Sequence, residues 1–216
     1  MRMRKLLILG AVTLCAAGLA RPAVAQLANR SAEEWIKTLE SKNRLEGLKI
    51  YETMAALKVK PGMKVADIGA GTGVFSIPLA LAVKPGGTAY AVDIDQGLLD
   101  HIADKAGEQG MMNLQVVLGA FTDPNLPDDI DLALINDVLH HIEKRAEYLK
   151  ALAGYLKPGG RIAVIDFIPG QGGHRDQPEL QVSQETATKW MAEAGLKPVE
   201  EFNKMFADKW FVIFGK

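Results

Sequence analysis

Two hydrophobic patterns divide the chain, helical spacing near the N-terminus and continuous apolar runs farther on. Ser31-Ala32-Glu33-Glu34 is a capping box, which predicts a helix with three apolar residues on its inner face, Trp35, Ile36 and Leu39. A second helix is predicted from apolar residues at helical spacing, namely Leu45, Leu48, Tyr51, Met54 and Leu57. We therefore expect residues 26–60 to form helices that cover one side of the remaining chain.

Three later segments echo one another: VKPGMKVADIG, VKPGGTAYAVDI and LKPGGRIAVIDF. In each, Lys-Pro-Gly closes a helix and a run of apolar residues follows, which ends at Asp67, Asp93 or Asp166. The runs are apolar on both faces, as in buried parallel strands. Two more strands are predicted at residues 114–118 and 131–135. Helices are predicted between the strands, at residues 74–82, 97–106 and about 144–156.

The end of the chain has a different pattern. Residues 183–194 predict a helix, and two strands follow at 196–202 and 209–214 without a helix between them. Such strands pair antiparallel. The sequence thus predicts an α/β fold, with a Rossmann-like, seven-stranded, mostly parallel sheet, an antiparallel last strand and helices on both faces. Residues 61–216 are long enough for this to be one domain.

The first 25 residues differ in kind from the rest. A basic start, MRMRK, precedes the uncharged apolar run LLILGAVTLCAAGLA, and Ala23-Val24-Ala25 before Gln26 fits the small-x-small cleavage rule. We expect a signal peptide cleaved after Ala25 and a periplasmic or secreted protein; a retained N-terminal anchor is the alternative. The apolar run is short for a membrane span, so no stable membrane insertion is expected after cleavage.

Charge and cysteine content narrow the chemistry. Cleavage would leave 21 basic against 26 acidic side chains, a net charge of −5, and would remove Cys15, the only cysteine. The charge does not indicate a nucleic-acid partner. Cysteine-based catalysis is excluded for the processed chain. No group of Cys, His, Asp and Glu has the spacing of a metal site, so no metal is predicted.

The glycine-rich turn DIGAGTG, residues 67–73, follows the first predicted strand. The dinucleotide fingerprint would require glycine where Val74 stands, and the Gly-Lys-Ser/Thr of a phosphate-binding loop does not follow. Asp67 directly before the turn is a poor neighbour for a pyrophosphate and a good one for an ammonium group. The turn therefore predicts a positively charged ligand lying on the backbone.

D-x-G-x-G-x-G after the first strand resembles the first motif of class I S-adenosylmethionine-dependent methyltransferases. An acid at the end of the second strand, Asp93, and NDVLHHI at 136–142 extend the resemblance. The chain also resembles a group of predicted exported bacterial methyltransferases. The shared features are the signal peptide, the Trp-containing helix, the DPNLP loop at 123–127, and the segment IDFIP followed later by GHR. The substrate of that group does not carry over.

The resemblance implies S-adenosylmethionine as cofactor. Asp93 would bind both ribose hydroxyls and Ile94 the adenine face, whereas Asp123 would either bond the adenine amino group or cap its own Asp-Pro turn. The implied cofactor-binding residues are Asp67, Gly69, Ala70, Gly71, Thr72, Gly73, Asp93, Ile94, Ala120, Phe121, Asp123 and Asn136.

Three residues after the fourth strand are candidate catalytic residues: Asp137, His140 and His141. A neutral imidazole can take a proton from the methyl acceptor, although one histidine of the pair can equally be structural. In the loop beyond the fifth strand, His174 and Arg175 are candidate substrate-binding residues. Trp35, Tyr51 and Phe75 either line the pocket or pack in the core.

The expected function is methyl transfer from S-adenosylmethionine to an unidentified small-molecule acceptor by in-line displacement. One alternative is a non-catalytic exported binding protein that uses the same fold to hold a nucleoside-like ligand. A nicotinamide oxidoreductase is disfavoured by Val74. The oligomeric state is not indicated by the sequence.

Overall fold

The structure, a computed structural model, describes residues 30–216. The expected signal peptide, its cleavage site and Cys15 lie outside the described residues. Within the described part of the chain, no helix combines the length and hydropathy that a membrane crossing requires.

Helices and strands alternate through the centre of the chain. The helices are α1 (Ala32–Leu39), α2 (Lys42–Gly47), α3 (Ile50–Leu57), α4 (Ser76–Ala82), α5 (Gln96–Glu108), α6 (Arg145–Gly154) and α7 (Gln184–Glu193). The strands are β1 (Lys64–Ile68), β2 (Thr88–Asp93), β3 (Leu114–Leu118), β4 (Ile130–Asn136), β5 (Leu156–Phe167), β6 (Lys197–Glu201) and β7 (Lys209–Gly215). Short 3₁₀ turns follow β4 and β5, at Leu139–His141, Gly172–His174 and Pro178–Leu180.

The seven strands form one sheet in the order β3-β2-β1-β4-β5-β7-β6. The first five are parallel, and β7 runs antiparallel to both β5 and β6. The predicted fold class is therefore confirmed. The strand order reverses between β1 and β4, where a crevice forms at the carboxyl ends of the strands.

Alternation along the strands sends side chains into two cores, one on each sheet face. On β1, Ala66 and Ile68 pack with α6 and α7, whereas Val65 packs with α3 and α4. Strands β1, β2 and β4 are almost fully buried, as their apolar runs predict, and β5 is mostly buried after its exposed residues 157–159. The edge strand β3 is mostly exposed, although its sequence is apolar.

The helices before β1 differ from the sequence prediction. Ser31 caps α1 in a capping box as expected, but the predicted inner face of α1 is only partly buried. The second predicted helix is broken at Lys49, which has a left-handed φ of 46°, so it forms α2 and α3. The break turns Tyr51 outward; its side chain is 91% exposed, and its predicted place in the pocket or core is wrong.

Candidate active site

The DIGAGTG turn joins β1 to α4 by a sharp change of direction. The amide of Ala70 donates to the carbonyl of Val92 on β2 at 2.9 Å, and the amide of Gly73 donates to the carbonyl of Ala70 at 2.9 Å. Gly69 has a φ of +67°, and the side chain of Val138 occupies the place that a Cβ would take. Glycine is required there both by the backbone angle and by this contact.

Asp67 lies under the turn and is buried. Its Oδ2 accepts a hydrogen bond from the hydroxyl of Ser76, the first residue of α4, at 2.6 Å. Burial, opposed by the Ser76 hydrogen bond, raises the pKa of Asp67 to about 6. A buried carboxylate without a cationic partner is costly, so the site favours a ligand that brings positive charge close to it.

Asp93 ends β2 and ties the turn to that strand. Its Oδ2 accepts from the amide of Gly71 at 2.9 Å, and its Oδ1 accepts from the amide of Asp95 at 3.1 Å. Burial raises the pKa of Asp93, while these amide bonds lower it. Asp95 itself caps α5, because its side chain accepts from the amides of Gly97 and Leu98. Asp93 is thus the carboxylate held in place for a ligand.

A cavity of about 870 Å³ opens above these groups. This volume lies within the range of about 300–1,000 Å³ that is typical of small-molecule sites. Most predicted site residues line it, namely Asp67, Gly69, Ala70, Gly71, Thr72, Asp93, Ile94, Ala120, Phe121, Asn136, Asp137, His140, His141 and His174. Gly73, Asp123 and Arg175 do not line it. The fold therefore brings together most residues that the resemblance implied.

The ends of β2 and β3 supply an apolar side to the cavity. Ile94 is 37% exposed and Phe121 is 52% exposed, although both are large apolar residues. A flat ring bound between them would cover this surface. Asp123 lies outside, because its Oδ1 accepts from the amide of Asn125 at 2.8 Å and from the hydroxyl of Tyr155 at 2.7 Å. The structure thus favours the turn-capping reading of Asp123 over contact with adenine.

Five buried polar atoms on residues that line the cavity have no hydrogen-bond partner within residues 30–216. Two are ring nitrogens of His140 and His141, and the other three are the Thr72 hydroxyl, Oδ1 of Asn136 and Oδ1 of Asp137. Buried polar atoms are nearly always paired, so a ligand that donates hydrogen bonds is expected at this point. The ammonium group and ribose hydroxyls of S-adenosylmethionine are such donors, and the residues present fit that cofactor.

Asp137, a candidate catalytic residue, forms a buried ion pair. Its Oδ2 pairs with the ammonium of Lys209 at 2.8 Å, and both side chains are under a tenth exposed; the guanidinium of Arg44 lies 3.7 Å away. The pair neutralises most of the charge of the Asp137 carboxylate. Asp137 also has a left-handed φ of 56° and does not cap the following turn, whose N-cap is Val138. Only its unpartnered Oδ1 remains free for a ligand.

His140 is oriented by a carboxylate on the neighbouring strand. Nδ1 of His140 lies 2.6 Å from Oδ1 of Asp166, and the His140 amide donates to Oδ2 of Asp166 at 3.0 Å. A carboxylate only accepts, so the imidazole hydrogen lies on Nδ1 and the lone pair on Nε2. Nε2 is buried without a hydrogen-bond partner among the described residues.

His141 and His174 pack around that ring. The ring centroids of His140 lie 4.1 Å from His141 and 4.8 Å from His174. Burial, and next the charges of His140, His174 and Arg145, lower the pKa of His141 to about 3. Arg175, the other candidate substrate-binding residue, does not lie beside His174 in the cavity wall. Its side chain is mostly exposed, and its Nε lies 3.6 Å from Oδ2 of Asp176. The prediction that Arg175 contacts the substrate finds no support in this placement.

Helices α1 and α2 form the roof of the cavity with residues that include Trp35, Leu39 and Arg44. Glu40, which follows α1, accepts from the ammonium of Lys105 on α5 at 2.8 Å and lies 3.3 Å from His101. The pKa of Glu40 lies below its usual range, and the hydrogen bond from Lys105 is the largest cause of this lowering. Lys105 also donates to the carbonyl of Thr72 at 3.3 Å, so one side chain links the roof to the glycine turn.

Sequence reasoning missed several residues of the site: Arg44, Ser76, Asp166 and Lys209. Asp166 carried a signal, because it ends the third echo segment as Asp67 and Asp93 end the others. The sequence signal for Lys209 was weaker: a charged residue at the start of an otherwise apolar strand. No metal was predicted from spacing, yet the fold gathers three histidines from two separate segments, which spacing along the chain does not reveal.

Comparison with known proteins agrees with this geometry. Residues 66–164 match the family described as methyltransferase domain. A demethylmenaquinone methyltransferase from Listeria welshimeri is 30% identical over 124 residues, which cover 55% of this chain and 52% of that protein. The chain thus spans about half the length of the curated relatives it matches.

Two solved structures share the fold. An S-adenosylmethionine-dependent methyltransferase from Aquifex aeolicus superposes with a TM-score of 0.75 at 22% identity, covering 86% of this chain and 98% of that one. Magnesium protoporphyrin IX methyltransferase from Synechocystis, solved with bound S-adenosylmethionine, has a TM-score of 0.70 at 18% identity, covering 92% and 99%. Residues 66–164 therefore match the methyltransferase domain family, and the two structures show that the chain has the fold of S-adenosylmethionine-dependent methyltransferases.

Proposed function

We propose that the protein transfers the methyl group of S-adenosylmethionine to a small molecule bound in the same cavity. The observation that carries the proposal is that one cavity is lined by the glycine turn, by Asp93 and by His140. Asp93 ends β2 and His140 follows β4, and these two strands are separated by β1. This separation suits a nucleoside at one end and an acceptor at the other.

The chain's own groups would hold the cofactor in three places. Asp93 would accept both ribose hydroxyls, Ile94 and Phe121 would contact the adenine, and Asp67 would favour the cationic amino-acid part. The cofactor supplies a methyl group activated on a sulfonium: the acceptor's lone pair bonds to the methyl carbon while the carbon–sulfur electrons return to sulfur, leaving the neutral thioether. Positioning of the two reactants can contribute about 7–11 kcal/mol.

The acceptor's proton needs a base near the point of attack. His140 is one of the residues that line the cavity, and its Nε2 has a free lone pair; Asp166 would stabilise the imidazolium that forms when the proton arrives. His141 remains neutral because its pKa is about 3, so it contributes a polar but uncharged surface. This arrangement supports an acceptor whose methylated atom is an oxygen, sulfur or nitrogen that carries a proton.

The roof and walls support an apolar acceptor. Trp35, Phe75 and Phe167 all line the cavity, and large aromatic surfaces favour ring-containing ligands. The relatives named for methylation of demethylmenaquinone point in the same direction. We expect a small ring compound, and no nucleic-acid partner, because the cavity is roofed by α1 and α2.

Export forms part of the proposal. It rests on the basic start, the apolar run and the Ala-Val-Ala cleavage pattern of residues 1–25. An alkaline phosphatase fusion placed after Gln26 would be active in the periplasm if the segment directs export. Activity equal to that of a fusion lacking residues 1–25 would contradict it.

The function is tested by calorimetry followed by turnover. Purified protein is expected to bind S-adenosylmethionine and, with a hydroxyl-, thiol- or amine-bearing ring compound, to release S-adenosylhomocysteine. The Asp93→Ala variant, measured in the same way, is the control that should bind the cofactor weakly. Binding without release across such acceptors would indicate a binding protein, and no binding would refute the proposal.

A further inference from the structure

Three of the four histidines in the sequence meet at one end of the cavity. One ring nitrogen from each of His140, His141 and His174 lies within 4.8 Å of the other two. The first two follow β4, whereas His174 stands on the 3₁₀ turn after β5. Two separate loops therefore direct imidazoles to a common point.

Each of the three rings has a nitrogen lone pair available for that point. His140 has a free Nε2, because Nδ1 is bonded to Asp166. His174 has its Nδ1 2.6 Å from Oε1 of Gln177, an amide oxygen that accepts, so the lone pair is on Nε2. Nδ1 of His141 is buried without a hydrogen-bond partner in the described chain.

The loop that carries His174 is held by side-chain bonds to its backbone. The amide nitrogen of Gln181 donates to the carbonyl of Arg175 at 2.8 Å and to that of His174 at 3.3 Å, and its Oε1 accepts from the amide of Gly170 at 3.0 Å. Gln177 in turn fixes the ring orientation of His174. The third imidazole is thus positioned by the fold.

We propose that His140, His141 and His174 bind one divalent transition-metal ion of the zinc class. Three imidazoles with a remaining open position are the ligand set of catalytic zinc sites. The Asp166 carboxylate behind His140 is the outer partner that orients a metal-bound imidazole and raises its basicity. Two of these lone pairs, on Nε2 of His140 and Nδ1 of His141, are buried without a donor among residues 30–216, and a cation satisfies both at once.

Zinc binding would require the three imidazole nitrogens to move closer together. Ligand nitrogens around tetrahedral zinc lie about 3.3 Å apart, given zinc–nitrogen distances of about 2.0–2.1 Å. The present spread reaches 4.8 Å, and His174, which lies between exposed residues of its loop, is the residue that would move. Arg145 opposes an ion, but its guanidinium is engaged with the carbonyls of His140 and Glu179 at 2.6 and 2.9 Å.

The site gives the proposed methyl transfer a way to activate its acceptor, and this part of the inference rests on that proposed function. The open position faces the cavity that the cofactor shares. An acceptor hydroxyl or thiol bound there would lose its proton at a lower pH, because the ion stabilises the anion. With the ion bound, His140 is a ligand and the metal replaces it as the activating group.

Metal binding is tested on purified, untagged protein that has been stripped with a chelator. Titration of Zn²⁺ in competition with a chromogenic chelator is expected to give one ion per chain, and Co²⁺ to give the visible absorption of a four-coordinate site. His174→Ala is expected to weaken Zn²⁺ binding at least about 100-fold, and Asp166→Asn by about 10–100-fold. His101→Gln is the matched control, because His101 contacts Glu40 outside the cluster and should leave affinity unchanged.

The outcomes separate this inference from the proposed function. Stoichiometry well below one, or equal affinity in His174→Ala and the parent protein, overturns the metal site. Because His174 lies on an exposed loop, its variant should fold even if a His140→Ala variant does not. Calorimetry with S-adenosylmethionine on the stripped protein tests the other proposal: cofactor binding without metal binding refutes only the metal site, and metal binding without cofactor binding refutes only methyl transfer.

Discussion

The two ends of the cavity are built in different ways. At the glycine end, residues 67–73 and 93–95 come from two consecutive strand ends, and backbone amides make most of the contacts. At the histidine end, His140, Asp166, His174 and Lys209 come from four separate segments, and side chains contact side chains. The glycine end therefore depends on the local conformation of the chain, whereas the histidine end forms only when the strands assemble into the sheet.

The difference has an energetic consequence. Backbone amides at the glycine end are positioned by turn geometry, so a variant there should change ligand affinity more than folding. At the histidine end, each member of a buried ion pair or imidazole–carboxylate pair relies on its partner for hydrogen bonding or charge compensation. Removal of one partner therefore leaves the other buried and unpaired. Stability and affinity should therefore respond differently at the two ends.

The largest effect is expected from Lys209→Met, at the histidine end. Asp137 would keep a buried charge with only Arg44 at 3.7 Å to compensate. Loss of one partner of a buried pair typically costs about 3–5 kcal/mol. Urea denaturation should show this loss in the free energy of unfolding, and the double variant Lys209→Met/Asp137→Asn should recover part of it. A loss below about 1 kcal/mol would show that the pair is solvated.

Asp93→Ala tests the glycine end. Two hydrogen bonds from ribose hydroxyls to a carboxylate, each worth about 1.5–3 kcal/mol, would be lost. The Kd for S-adenosylmethionine, measured by calorimetry, should therefore rise at least about 100-fold. Asp104→Ala, which removes an exposed carboxylate on α5, is the control and should bind normally. Equal affinity in both variants would mean that Asp93 does not contact the ligand.

Asp67 should couple cofactor affinity to pH. Its folded pKa of about 6 lies above its ordinary value of 3.8, so folding favours the protonated acid. The stability contributed by protonation is complete below about pH 4 and is lost as pH rises through 6, which amounts to about 3 kcal/mol. Asp67→Asn should therefore raise the free energy of unfolding at pH 8, and the difference should vanish below about pH 4.

The same substitution should have the opposite effect on binding. A cationic ligand prefers the ionised carboxylate, so the affinity of the parent protein should fall as pH drops below about 6. Asp67→Asn should bind weakly at every pH, with a flat profile. Calorimetry across this range would contradict the assignment if the parent protein showed no decline.

Glu40→Gln should produce the smallest effect. It weakens the link between the roof and α5, but the Glu40 and Lys105 side chains are about a third exposed. Pairs of this kind contribute under about 1 kcal/mol, so cofactor affinity should fall no more than about fivefold, and the difference should shrink at high salt. Glu46→Gln, which removes the exposed partner of Lys42, is the control.

Much of the fold was predictable, because strand and helix signals are local. The predicted strands at 114–118 and 131–135 match β3 and β4 within one residue, and the acids Asp67 and Asp93 stand where their strands end. The prediction for Tyr51 failed because helical spacing does not reveal a left-handed break at Lys49. The pairing of Asp137 was not predictable, because its partner, Lys209, lies 72 positions away.

The sequence by itself determined the strands, the reversal of chain direction at the glycine turn and the acids that flank it, since these depend on neighbours along the chain. The tertiary structure alone decided that Asp166 orients His140, that His174 completes a triad of imidazoles and that Arg175 turns away. These contacts depend on which strands become neighbours in the sheet and how the loops between them fold. Burial then sets the charge state of each group, and burial is a property of the assembled chain.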